Sequence, residues 1–176
     1  MPRKFFRKYL PQPEEILAKP WAAPFRPWLA HPNLWHLNRR SVPGAVAIGL
    51  FCGLIPGPLQ MLGALLACVG WRKNIPVALV TTLYTNPITI VPLYVLAYGY
   101  GRLLLGERDP EHALPPYEWT WSSAALWEWM LGLGQPLAIG LLALASTLAL
   151  LGYCITALGW RFHVSSAWRS RKRSRR

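Results

Sequence analysis

SVPGAVAIGLFCGLIPGPLQMLGALLACVGWRKNIPVALVTTLYTNPITIVPLYVLAYGYG, residues 41–101, is sixty-one residues long and carries two charges, Arg72 and Lys73. A soluble domain could not keep that much apolar sequence in water. The run before Arg72 is interrupted by Ile55-Pro56-Gly57-Pro58 and the run after Lys73 by Thr85-Asn86-Pro87. A span of a hydrocarbon core of roughly 30 Å takes about 20 helical residues. The pieces Val42 to Ile55, Pro58 to Trp71, Ile75 to Thr85 and Pro87 to Gly101 hold 11 to 15 residues each, or roughly 16 to 22 Å at 1.5 Å per residue. No single piece is a comfortable span. Each interrupted pair is therefore either a kinked, overlong span or a hairpin that dips in and returns to the same face. In both cases the backbone at the break lies at membrane depth, where it is tolerated only if protein or a water-filled cavity surrounds it.

Local residue choice says where the helices start. Ser41 is the expected N-cap of the first intramembrane helix, and Gly49, Gly53 and Gly57 put small residues on one face, where another helix can approach closely. Asn86 followed by Pro87 is a favourable N-cap and first-turn pair, and Pro58 suits the first turn of a helix restarting after Gly57. Two half-helices beginning inside the membrane would offer unpaired N–H groups and positive dipole ends, which are ready anion sites. The candidate ligand or structural-break residues are Pro56, Gly57, Pro58, Gln60, Thr82, Thr85, Asn86, Pro87 and Thr89. Gln60 reads first as an interhelical hydrogen-bond partner and second as a substrate contact. Two interrupted segments about 30 residues apart are also a pointer to a repeat with a site between its halves. The competing reading is that both breaks serve packing or oligomer contacts.

Around this core, charge and apolar character are segregated in a chain of 176 residues that is 53% hydrophobic, with seventeen Pro, ten Trp and a formal net charge of +12. Residues 1–40 hold eight Lys/Arg and seven Pro, too many for a long helix, and read as a basic cytoplasmic or interfacial arm with Trp21, Trp28 and Trp35 as headgroup anchors. The membrane core is placed at 41–105, and an acidic aromatic loop at 106–128. Residues 129–160 form a C-terminal transmembrane segment, with a short extra hairpin as its alternative, and residues 161–176 a basic tail with seven Lys/Arg. Basic flanks mark the cytoplasmic side, so both termini and Arg72-Lys73 are expected there and the loop in the periplasm. The simplest arrangement has a first unit that dips and returns, a second that crosses and a C-terminal span that comes back. Arg39, Arg40, Arg72 and Lys73 are the expected contacts to anionic lipid headgroups, each worth about 1 kcal/mol near a charged leaflet. Nucleic-acid binding by the Arg-rich tail is the disfavoured rival. The basic N-terminus lacks the apolar stretch of a signal peptide, so insertion is expected to rely on the internal segments.

The residues Leu34-Trp35, Arg39-Arg40-Ser41-Val42, Ala47-Ile48-Gly49-Leu50-Phe51, Ile55-Pro56, Gln60-Met61, Arg72-Lys73-Asn74-Ile75-Pro76 and Thr85-Asn86-Pro87-Ile88-Thr89, with Pro92-Leu93-Tyr94 and Tyr98, resemble the bacterial membrane-protein family DUF2062. The match is strong over residues 34–106 and looser beyond. The resemblance implies a bacterial inner-membrane location and little chemistry. Some relatives look like glycosyltransferases carrying this domain as a membrane appendage, which hints at lipid-carrier or envelope work.

No catalytic constellation is present. His31, His36, His112 and His163 lie outside the apolar segments without zinc spacing, and Cys52, Cys68 and Cys154 read as small core residues. No cofactor and no metal are expected. The fold class is an all-α integral membrane protein with two Pro/Gly-interrupted units and a C-terminal span. Two functions are open, the first the leading expectation and the second its alternative. One is binding or transport of an anionic small molecule or lipid headgroup at paired half-helix N-termini. The other is a non-transporting scaffold or accessory subunit in envelope or glycolipid assembly. A homo-oligomer is expected in either case.

Overall fold

The computed structural model describes residue 20 and residues 26–29, 31–106 and 123–173. Among these the chain is all-helical: α1 (Arg26–Leu29), a 3-10 turn (Pro32–Leu34), α2 (Val42–Cys52), α3 (Leu59–Trp71), α4 (Ile75–Thr82), α5 (Ile90–Leu105), α6 (Ser123–Gly132) and α7 (Gly134–Arg173). The expected loop over 106–128 falls largely outside the described residues, but its last part is already helical in α6. The C-terminal apolar stretch is divided at Leu133, and α7 starts at Gly134 with φ +59.

Three long-range contacts set the directions of the helices. Lys73 Nζ donates to the Arg40 carbonyl at 3.1 Å, so the chain entering α2 and the chain leaving α3 meet at one end. At the opposite end of α2 the Tyr84 hydroxyl donates to the Leu50 carbonyl at 2.8 Å. Helices α2 and α4 therefore run parallel, with α3 antiparallel between their sequences. Beyond Asn86 the chain continues away from the Arg40–Lys73 end, because Gly101 of α5 meets Pro136 at the start of α7. Helix α7 then returns antiparallel to α5, passing the hairpin where Gly152 lies against Leu50 and Val46.

Small residues make these approaches possible. A Cβ on Gly49 would strike the Ala78 carbonyl and Thr81 of α4, and one on Gly53 would strike the Tyr84 ring. At the α5–α7 crossing the backbones touch: Gly101 faces the Pro136 carbonyl and Gly140 faces the Ala97 carbonyl. Two cores result. One joins α2, α3 and α4 through Ala45, Ile48, Cys52, Ala64, Cys68, Ile75 and Ala78. The other joins the tip of the hairpin to α5 and α7 through Leu54, Tyr94, Ala97, Tyr98, Leu137 and Ala145.

Two details of the arm depart from expectation. Trp35 is not a headgroup anchor: its indole N–H donates to the Leu29 carbonyl at 2.7 Å, and Leu29 and Leu34 are buried in the first core beside it. Trp28 does face outward, and Trp21 lies outside the described residues. Ser41 occupies the N-cap position of α2, but its hydroxyl donates back to the His36 carbonyl at 3.0 Å. Asn38 does the capping, its Oδ1 accepting from the N–H groups of Arg40 and Ser41 at 2.9 and 2.7 Å.

Among the described residues one helical stretch, Gly134–Phe162 with 29 residues, is long and apolar enough to cross a membrane, and α2, α3 and α5 are shorter apolar helices. Gly140→Leu is expected to prevent α7 from seating on α5, because the obstacle is backbone and overpacking of this kind costs 1–3 kcal/mol or more. Gly159→Leu, in open space on the same helix, is the control. Thermal unfolding and monodispersity in detergent should separate the two variants, with only Gly140→Leu losing the folded peak.

Candidate functional site

The two interruptions come together at the far end of α2. A helix leaves its last four carbonyls without intrahelical partners. Here three carbonyls around that end, Leu50, Gly53 and Leu54, are met by hydroxyls from the second unit. Tyr84 Oη donates to Leu50 at 2.8 Å, Thr85 Oγ1 to Gly53 at 2.6 Å and Tyr94 Oη to Leu54 at 2.9 Å. Thr85, Tyr94, Gly53 and Leu54 are buried, and Leu50 and Tyr84 are half-buried.

Thr85 Oγ1 also lies 2.8 Å from Gln60 Oε1 and 3.0 Å from the Thr82 carbonyl. A hydroxyl has one proton and two lone pairs. It cannot donate fully to three acceptors. The cluster is satisfied when the Gln60 amide is turned so that Nε2 donates to Oγ1 while Oγ1 donates to Gly53; the two orientations of an amide are related by a rotation that leaves its shape unchanged. Gln60 then ties α3 to the same knot.

The second break closes on itself. Asn86 Oδ1 accepts from the N–H groups of Ile88 and Thr89 at 2.9 and 3.0 Å, and Thr89 Oγ1 accepts from the Asn86 N–H at 3.0 Å. This is the reciprocal arrangement of a capping box, with Asn at the cap and Thr three residues on. Thr89 Oγ1 also donates to the Tyr84 carbonyl at 2.7 Å. The Thr82 hydroxyl donates within its own helix to Leu79 at 2.7 Å.

Of the expected residues, Gln60, Thr82 and Thr85 are brought together, and Asn86, Pro87 and Thr89 form the adjoining cap. Gly57, Pro58, Asn86 and Pro87 are exposed at the tip, with Pro56 half-buried. Gly57 has φ +71, the left-handed conformation that glycine adopts without penalty and that reverses the chain into α3. Arg39, Arg40, Arg72 and Lys73 gather at the opposite end of α2. There Arg72 takes a left-handed conformation (φ 53) and the Lys73 N–H bonds back to the Cys68 carbonyl at 2.9 Å, closing α3 with a Schellman turn. Tyr84 and Tyr94 were not among the expected site residues. Their partners lie 34 and 40 residues away in sequence, and only the alternation of apolar and aromatic residues around the TNP motif hinted at them. Among the described residues no three His, Cys, Asp or Glu side chains converge as metal ligands would.

A family model described as an uncharacterized protein conserved in bacteria, DUF2062, matches residues 22–169. The chain belongs to the DUF2062 family. No curated protein and no solved structure matches it. The DUF2062 match includes both interruptions, the basic end and most of α7.

Asn86→Leu in this DUF2062 chain is expected to lower stability by about 1–2 kcal/mol, the usual cost of losing a helix cap. Thr82→Val should be near neutral, because Val matches Thr in shape and the Leu79 carbonyl loses only a local back-bond. Parallel thermal melts of the purified variants check the order.

Proposed function

We propose that the protein is a multi-pass component of the bacterial inner membrane, working as a non-transporting scaffold or accessory subunit in envelope or glycolipid assembly and held to anionic headgroups by its basic end. The observation that carries this reading is the closure of both interruptions by the chain's own groups. Asn86 Oδ1 accepts from the N–H groups of Ile88 and Thr89 in the turn that leads into α5, and three hydroxyls meet the carbonyls around the end of α2. The N–H groups beside Asn86 are already in use and hold no anion, while the start of α3 carries no side-chain cap.

In this reading α2 and α3 are a re-entrant hairpin. Helix α2 has 11 residues, roughly 16 Å at 1.5 Å per residue, or about half of a 30 Å hydrocarbon core. Ile75–Leu105 and Gly134–Phe162 are the two crossings, with 31 and 29 residues. Two crossings return the chain to the side on which it began, which puts the Arg39–Arg40 and Arg72–Lys73 pairs and the basic tail together in the cytoplasm. Large apolar side chains exposed around the molecule, among them Leu66, Val80, Leu96, Leu142 and Ile155, suit a lipid surface. Further copies of the chain are the expected cover for the exposed tip, because irregular backbone at membrane depth does not face lipid.

Anion capture or transport is the second reading, and it draws on the half-buried Gln60 amide near the start of α3. The two readings part on substitution. Gln60→Leu and Asn86→Leu should change oligomer size, measured by native mass spectrometry, if the breaks serve assembly. Loss of anion binding with unchanged oligomer size would favour transport.

Topology has its own test. On a background with the three native Cys replaced, Ala113→Cys should react with an impermeant maleimide in cells whose outer membrane alone is opened. Lys73→Cys should react only after the inner membrane is broken. The opposite pattern at either position overturns the assigned orientation.

A further inference from the structure

Helix α7 does not end where its apolar stretch does. Gly152 lies against Val46 and Leu50 of α2, and the two helices run antiparallel. The level of Arg40, six to ten residues back along α2, is therefore met six to ten residues on along α7, at 158–162. The apolar stretch ends there, at Phe162. The helix continues to Arg173, eleven residues further, or roughly 16 Å at 1.5 Å per residue. A tilt of about 20° leaves roughly 15 Å of that reach. The headgroup layer on one side of a bilayer is only about 5 to 7 Å thick. Arg161 therefore lies at the headgroups, while Arg169, Arg171, Lys172 and Arg173 are carried beyond them.

The order of residues around this extension narrows what it fits. At 3.6 residues per turn, Arg169, Lys172 and Arg173 fall on one side of the helix, Arg171 nearly opposite, and Ser166, Ala167 and Ser170 between them. A helix that lies on a membrane needs a continuous apolar face. One that docks in a protein groove needs apolar anchors at i, i+3, i+4 and i+7. The sequence after Phe162 places neither on the helix. No Asp or Glu follows Glu128, so α7 carries no carboxylate to balance these charges. A rod that is positive on two sides suits a ligand that is negative along its length.

We propose that the last three turns of α7 dock RNA in the cytoplasm, with Arg169, Arg171, Lys172 and Arg173 on its phosphates and Trp168 stacking on an unpaired base. Six of the seven basic residues after Trp160 are Arg, whose planar guanidinium matches a phosphate with two bonds where Lys acts as a point charge. Trp168 sits among them in sequence, and stacking on an aromatic ring uses the splayed bases of a single strand, which a DNA duplex does not offer. Composition alone leaves nucleic acid the weaker reading of this tail, because headgroups could take the same charges. Their distance from the headgroups reverses that order. The proposal rests on the reading that the tail is cytoplasmic.

The test uses the full chain in nanodiscs of phosphatidylcholine and phosphatidylglycerol, with a fluorescent single-stranded RNA of about 12 nucleotides. Binding read by anisotropy should fall with added salt at a log–log slope of about −3, the value for four phosphate contacts to a single strand. Replacing Arg169, Arg171, Lys172 and Arg173 together by Gln should weaken it by on the order of a hundredfold, and Trp168→Ala by on the order of tenfold. Arg39→Gln combined with Arg40→Gln should leave it unchanged. Undiminished binding in either tail variant, equal binding of a DNA duplex, or displacement by charge-matched poly-glutamate as efficient as by unlabelled RNA overturns the RNA site. So does a fluorophore at Ser170→Cys, on a background without the native Cys, that headgroup-attached quenchers reach as well as one at Phe162→Cys, since the tail would then lie on the lipid. Reaction of Ser170→Cys with an impermeant maleimide in cells whose outer membrane alone is opened is a different failure, that of the cytoplasmic reading itself.

Discussion

The structure depends on how the end of α2 is satisfied. A helix that stops inside an apolar core leaves carbonyls that water cannot reach, and such groups are costly unless paired. Tyr84, Thr85 and Tyr94 supply the pairs from outside the helix. Each such bond between helices in an apolar medium is worth only about 0.6 kcal/mol on average. Their importance is therefore positional. Three donors at fixed points set the depth and rotation of the hairpin relative to the second unit, while the Gly49 and Gly53 contacts set its distance.

That division of labour accounts for what could be read in the sequence. Features encoded within a few residues were legible: the small face of Gly49 and Gly53 and the turn at Arg72-Lys73 before Pro76, whereas the helix expected to restart at Asn86-Pro87 begins at Ile90, after a turn that Asn86 and Thr89 hold. In each, the cause and the effect lie within about one helical turn. Ser41 was misread as a side-chain cap because its hydroxyl is taken by the His36 carbonyl, and Asn38, three residues earlier, meets the N–H groups ahead of α2. Trp35 was misread because the composition of the arm suggested a surface, whereas Leu29 and Leu34 carry that segment into the core. The site was half legible. Gln60 and Thr85 stood out as polar residues in apolar runs, yet their pairing, and the roles of Tyr84 and Tyr94, depend on contacts between residues 25 to 40 apart.

The two interruptions look alike in sequence and act differently in space. After Gly57 the chain reverses, and α3 packs back through Ala64 and Cys68, which are fully buried against α2 and α4. After Asn86 it goes on, because α5 finds its small-residue partner in α7 at Ala97 and Gly101 instead of in α4. Proline and glycine only permit a change of direction; the face offered by the following helix decides which change occurs. The same logic separates the two ends of α2. At the tip, the Tyr84, Thr85, Tyr94, Asn86 and Thr89 side chains all bond to other groups of the chain. At the Arg40–Lys73 end, positive charge accumulates with no carboxylate from Ile16 to Gly106 to balance it. A helix end whose polar groups are met from within the chain can sit in an apolar core, whereas an end that carries Arg39, Arg40, Arg72 and Lys73 needs water or anionic groups beside it.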